Sequence, residues 1–411
     1  MNRRLSRHTL ILIVNNLGSA ALSFAIAVLI GRTLGGAGLG VYAAVLAWLF
    51  PLGLLAEFGL GTLMTREVAQ NPAQGGLYLR ALLRFYLLSG TFCVLTLWLV
   101  APLLVSDAAV AAGLRLSAGL LWVAPCFGAF TALFRAQGQM WPIPLLNIGM
   151  WLAQCALTAA ALLLGAGLTA VLAINALTSA GQLLAAWGIY RRHFFAPDAR
   201  ATLRLGYLLR RALPFALGAV LVALQARAST ILLERLSDTA QTGYYTAANR
   251  LIEAGRMLPN AFFGALFPAL AALAAQPAAM RQTFRRALGG LALFGALAGA
   301  GLTVFAPLLP LLYGGDFAPA IPVLQTLAWA LLPALLRAGL TLYAYARGRE
   351  AAANAATLIL LLLHIALAAA LIPVGGALGA AWVTLGVETI GTALLALVGL
   401  PSPRPPAQTP Y

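Results

Sequence analysis

Residues 244–268 read YYTAANRLIEAGRMLPNAFFGALFP, an apolar stretch long enough to cross a bilayer, yet its first half carries Arg250, Glu253 and Arg256. An ionisable side chain at the centre of a membrane helix costs about 2.5–3.5 kcal/mol on insertion scales, so three on one span require a hydrated cavity, a partner or a ligand. Asn249, Glu253, Arg256 and Asn260 follow at steps of four, three and four, which on one continuous helix places them on a single face. Arg250 and Arg256 each stand three residues from Glu253, so one can neutralise the carboxylate while the other stays free. Guanidinium suits a phosphate or pyrophosphate, because it keeps its charge when partly desolvated and donates in a bidentate fork. Substrate contact is therefore expected of this pair. Structural ion pairing, or snorkelling to the interface, is the alternative.

Other apolar runs also hold charge. Arg337 in the middle of a tenth span and Arg227 in a seventh can extend a cationic path, although Arg227 equally suits an interfacial anchor. Glu57 and Glu388 are candidate H+ or Na+ coupling groups, or simply partners for the arginines. His364, in LLLHIAL, reads as a hydrogen-bonded packing histidine rather than a proton relay. Trp48, Trp151, Trp329, Tyr244 and Tyr245 could stack on sugar faces, but interfacial belts account for most such residues. Cys93, Cys126 and Cys155 are odd in number and widely spaced, so neither a disulfide framework nor a zinc site is expected. All 26 basic residues are arginine. Without a lysine there is no Walker-type phosphate loop and no Schiff base, and no catalytic group, metal or cofactor is expected.

The elements that must position these side chains follow from composition. Of 411 residues, 62% are hydrophobic and 9% charged, which describes an integral membrane protein. Apolar runs between Arg, Gly and Pro punctuation predict twelve helices, approximately 10–31, 39–61, 81–105, 110–133, 143–164, 168–190, 212–233, 243–271, 287–312, 321–346, 352–372 and 377–400. The apolar N-terminus is read as an uncleaved first helix rather than a signal peptide. Arginines fall on alternate connections: Arg3, Arg66, Arg80, Arg135, Arg191, Arg211, Arg285 and Arg347 share one side with many others, while Asp107, Asp238 and Asp316 mark the opposite one. That asymmetry predicts cytoplasmic termini. Spread over loops rather than along a groove, the net charge of +16 does not point to nucleic acid.

The chain also repeats itself. GVYAA at 40–44 returns as GYYTA at 243–247, AQGQ at 136–139 as ARGR at 346–349, and GAGL at 165–168 as GGAL at 375–378. A common order and an offset near 203–210 argue for a duplicated six-helix unit. The expected organisation is an N-terminal bundle (1–195), an amphipathic surface connector (196–211), a C-terminal bundle (212–400) and a proline-rich tail (401–411). With six spans per unit, the two bundles enter the membrane in parallel, an arrangement typical of alternating access about a midplane site.

GAGLGVYAAVLAW (36–48), EFGLGTLMTREVA (57–69), TGYYTAANRL (242–251), LFPALA (266–271) and LLYGGDFAPA (311–320) resemble the oligosaccharide flippases of the multidrug, oligosaccharidyl-lipid and polysaccharide exporter superfamily. Glu57 stands where such proteins more often carry Asp. The resemblance implies an all-α fold like that of multidrug and toxin extrusion transporters, in a bacterial inner membrane. It further implies movement of a polyprenyl-pyrophosphate-linked oligosaccharide to the outer leaflet, beside glycosyltransferases and a polysaccharide polymerase. A cation-coupled drug exporter of the same fold would want an acidic cavity, and a membrane glycan polymerase or ligase would want a large external loop. The span interiors hold four arginines against three glutamates, a small margin that keeps the exporter as the alternative, and no expected external loop exceeds about a dozen residues, which makes the polymerase or ligase the less favoured one.

Overall fold

A computed structural model describes residues 3–194, 205–273 and 276–399, and every regular element among them is helical. The N-terminal half comprises α1 (Arg3–Glu57), α2 (Leu60–Gln70), α3 (Gly75–Leu104), α4 (Ala108–Ser117), α5 (Leu120–Ala136), α6 (Pro142–Leu163) and α7 (Leu168–His193). The C-terminal half comprises α8 (Leu205–Leu236), α9 (Thr239–Gly255), α10 (Met257–Ala272), α11 (Pro277–Phe305), the short α12 (Leu309–Tyr313), α13 (Ala320–Ala346) and α14 (Glu350–Gly399). Among the described residues, eight helices are long and apolar enough to cross a bilayer, or nine if α4 and α5, bent by 44°, count as one.

Two of these helices are too long for one crossing. At 1.5 Å per residue, α1 and α14 would each extend roughly 75–80 Å, far beyond a core of about 30 Å. Each is broken by a glycine outside helical geometry, Gly35 (φ 69°) and Gly376 (φ 52°), between the first and second and the eleventh and twelfth expected spans. Two other expected spans are not continuous. The second breaks at Phe58 and Gly59, both in the left-handed region (φ 53° and 67°), before resuming as α2. The eighth breaks at Arg256, which caps α9 before α10 begins. The residues expected on one face, Asn249 to Asn260, are thus divided between α9 and α10, with Arg256 at the break. Residues 205–211 are the first turns of α8 rather than part of a connector; residues 195–204 and the tail 401–411 lie outside the described residues.

The internal repeat is visible in the backbone. α5 and α13 end in the same left-handed glycine cap, Gly138 (φ 69°) and Gly348 (φ 68°), 210 positions apart. The following N–H closes each cap: Gln139 donates to Phe134 (2.8 Å), and Arg349 to Ala344 (2.9 Å), at that same offset. A second correspondence joins the halves. A Cβ on Gly40 would overlap the carbonyl of Thr239, and a Cβ on Gly243 would overlap that of Gly36. Gly36 with Thr239, and Gly40 with Gly243, are both 203 apart, so the second limb of α1 crosses α9 through reciprocal contacts of equivalent residues. That is the signature of a pseudo-two-fold axis, and only small residues permit the approach.

Three apolar cores follow from this geometry. The largest unites both halves towards the Asp107, Asp238 and Asp316 end, with Leu39, Tyr42 and Leu172 packed beside Tyr245, Tyr313 and Phe317. At the arginine-rich end the cores separate. One groups Leu60, Met64, Tyr86 and Phe134 with Leu208 and Ala212 at the start of α8; the other groups Leu270, Phe284 and Tyr343. Both halves share the core at one end; at the other the two cores are separate, and the first turns of α8 pack with the N-terminal helices.

Candidate functional site

Asp238 starts α9 by accepting a hydrogen bond from the Gln241 backbone N–H (2.7 Å), which fixes where the helix begins. From that cap, Arg250 lies about 17 Å along the helix, roughly half the hydrocarbon thickness. Its Nη1 is 3.5 Å from Glu253 Oε2 and donates to Ser23 Oγ of α1 (3.2 Å). Glu253 Oε1 accepts from Asn249 Nδ2 (3.3 Å) and from Arg227 Nη1 of α8 (3.4 Å), whose guanidinium also stands 5.3 Å from the Phe50 ring centroid. Ala43, Leu46 and Ala47 of α1, with Thr230 and Thr246, complete a cavity of about 60 Å³ around these groups. Both halves therefore form its wall.

A second cluster begins one turn further on. Glu388 of α14 is bound by both Nε and Nη2 of Arg337 from α13, the latter at 3.0 Å, and lies 4.0 Å from Arg256 Nη2. This pair is the drier one: the Glu388 and Arg337 side chains are 12% and 21% exposed. Gly391 makes room for it, since a Cβ there would stand 2.7 Å from Arg337 Cδ. Arg256 Nε is buried with no hydrogen-bond partner among the described residues.

The structure thus brings Arg227, Asn249, Arg250 and Glu253 together, and Arg256, Arg337 and Glu388 together. Of the two arginines flanking Glu253, Arg250 is the one within ion-pair distance of it, and Arg256, the one left over, stands 4.0 Å from Glu388. The partner of Glu253 is Arg227 as well as Arg250. Asn260 lies in α10, its side chain outside the described residues. Glu57 belongs to neither cluster; it ends α1 against Gly61, with Arg135 of α5 as its neighbouring cation. Four guanidinium groups face two carboxylates, a surplus of two positive charges. His364 packs as expected, with Nε2 3.0 Å from Ser229 Oγ.

Sequence reasoning missed the uncharged polar residues. Ser23 touches Arg250, while in the N-terminal half Asn147 donates to Asn15 (3.0 Å) and Gln182 to Asn147 (2.8 Å), linking three helices. Amides inside apolar runs were the available signal, and in lipid each must find a partner.

Apolar helices long enough to cross a bilayer, two pseudo-symmetric halves and a cationic cluster between them describe a multi-pass membrane protein. The same architecture is found in a multidrug resistance transporter of the multidrug and toxin extrusion (MATE) family solved in an inward-facing conformation (TM-score 0.79, 14% identity, 93% of each chain covered). It is found also in the lipid II flippase MurJ in an inward closed conformation (0.76, 14%, 94% of this chain and 86% of that one). A transporter of the same superfamily from Pyrococcus furiosus, described as having a binding pocket of reversed polarity, matches with a TM-score of 0.65 (14%, 96% and 94%). No curated protein sequence matches the chain. The chain belongs to the polysaccharide biosynthesis protein family, which matches residues 5–274 and bears out the resemblance carried by the motifs.

Proposed function

We propose that the protein is a flippase that carries a polyprenyl-pyrophosphate-linked oligosaccharide from the cytoplasmic to the outer leaflet of a bacterial inner membrane. The observation that carries this reading is a surplus of two positive charges over two clusters, one at the junction of the halves and one inside the C-terminal half, in a polysaccharide biosynthesis family member. Pyrophosphate is dianionic or more and matches guanidinium forks; a cationic drug does not. In this reading the chain makes twelve passes, α1 and α14 contributing two each. The arginine-rich end and both termini then face the cytoplasm.

The cavity of about 60 Å³ has room for only about two waters. Substrate must therefore open it. Glu253 acts as an internal counter-ion to Arg227 and Arg250 until a phosphate displaces it. Glu57 and Glu388 are the proposed H+ or Na+ coupling sites, and glycosyltransferases and a polymerase would supply and consume the cargo.

The test is lipid-linked oligosaccharide in a deletion strain of the native host, complemented with the wild-type chain or with Arg250→Ala plus Arg256→Ala at matched membrane levels. Accumulation in the cytoplasmic leaflet, relieved by wild type but not by the double variant, is expected. Unchanged lipids together with new sensitivity to cationic dyes would transfer the chain to drug export.

A further inference from the structure

The C-terminal half contains a second and far larger concavity, a groove of about 600 Å³ between α10 and α11. Pro259, Phe262 and Leu266 form one wall; Gly290, Leu291 and Phe294 form the other. Its only charged lining residue is Arg286, accompanied one turn earlier by Thr283. No atom lies within 4 Å of where a Gly290 Cβ would be, so the groove is open at that point.

Its dimensions suit one kind of occupant. From Thr283 to Phe294 is eleven residues, or about 16 Å of helix, close to half the hydrocarbon core. Arg286 sits at the arginine-rich end, beside Arg281 and Arg285, where lipid phosphates lie; the remaining wall is apolar towards mid-membrane. An apolar slot half a bilayer deep with a guanidinium and a hydroxyl at headgroup level is complementary to a single hydrocarbon chain carrying a phosphate. The inner end reaches Pro259, three residues beyond the break at Arg256, so an occupant would lie against the kink that separates the two clusters.

We propose that this groove binds the isoprenoid chain of a polyprenyl phosphate lipid, with Arg286 and Thr283 donating to its phosphate. The assignment rests on the flippase reading for the identity of the lipid and deepens it, because it gives the lipid a docking site apart from the α9 cluster. In that docked state the phosphate lies at Arg286 and the tail along α10 and α11; transfer of the sugar and pyrophosphate to α9 is a later step.

The test uses the full chain in phosphatidylcholine nanodiscs with a diazirine-bearing polyprenyl phosphate that carries no sugar, followed by photolysis and peptide mass spectrometry. Adducts are expected to concentrate on α10 and α11, to fall several-fold in Gly290→Trp, which fills the groove, and to weaken about tenfold in Arg286→Gln, the scale of one lost charge-assisted hydrogen bond. Arg250→Ala plus Arg256→Ala should leave the labelling intact. Adducts scattered over all lipid-facing helices, or competed equally by phosphatidylglycerol, would overturn the proposal. Specific labelling in a chain whose deletion causes no oligosaccharide accumulation would keep the groove and remove the cargo; scattered labelling with accumulation would do the reverse.

Discussion

The carboxylates of the two clusters have different tasks, and their surroundings say which. Glu388 is 12% exposed and held by both nitrogens of one face of Arg337, so removing it strands a buried guanidinium. Breaking such a pair costs about 3–5 kcal/mol, whereas replacing both partners with apolar residues of similar size restores most of the loss. Glu388→Met should accordingly lower the thermal midpoint in detergent strongly, and Arg337→Met with Glu388→Met should recover it; a double-mutant cycle with no coupling would contradict the assignment. Glu253 is 38% exposed at contacts of 3.3–3.5 Å, a loose arrangement worth at most about 1 kcal/mol. Glu253→Gln should leave stability nearly unchanged yet tighten binding of pyrophosphate, measured by calorimetry on the purified chain, because the competing anion is gone. Which residues would be charged was legible in the sequence. Which would meet was not: Arg256 and Glu388 are 132 positions apart, and their approach depends on how three helices are arranged.

Helix ends and crossings are set by glycines whose role is backbone geometry rather than packing. Gly138 and Gly348 have left-handed φ values and empty space where a Cβ would go, so alanine at either introduces conformational strain alone. Each substitution should cost about 1 kcal/mol, and the two costs should match, which thermal unfolding of the two single variants can check. Unequal losses would weaken the case that these caps are copies of one ancestral turn. The crossing of α1 with α9 makes the opposite demand. Gly36, Gly40 and Gly243 leave no room, so Gly243→Leu cannot keep the halves closed at the Asp238 end. Tyr244 sits at that seam, edge-on to Phe317 at 5.7 Å. Tyr244→Cys in a background lacking the native cysteines should resist an impermeant maleimide from outside the cell, and become labelled when Gly243→Leu is added. The repeat itself could be read from sequence because glycines recur at a fixed offset. The breaks at Phe58 and Arg256 escape that reading, because Gly59 and Gly255, which mark them locally, lie inside stretches long and apolar enough to pass for single spans.

At the scale of the whole molecule, three cores limit the motions available. The shared core includes the α1 and α9 crossing, the Tyr313 and Phe317 aromatic pair at 5.1 Å, and the docking of Arg32 Nε on the Leu312 carbonyl (2.6 Å). Glu234 adds a latch there, its Oε1 accepting from the backbone N–H groups of Ser106 (2.8 Å) and Asp107 (3.1 Å) across the two halves. Among the described residues the other two cores share no member, although α8 runs from one of them into the shared core; the arrangement suits hinge-like motion about the crossing, with the start of α8 moving with the N-terminal helices. Transport by rocking therefore requires the shared core to divide while each separate core persists, and a bond across the crossing should stop it. Ala43 of α1 and Thr246 of α9 both line the small cavity beside that crossing. In the cysteine-free background, Ala43→Cys with Thr246→Cys should form a disulfide that abolishes relief of lipid-linked oligosaccharide accumulation, with activity returning on reduction. Persistence of transport in the fully oxidised chain would mean that the halves do not part here, and the junction would then be a scaffold rather than the path of the cargo.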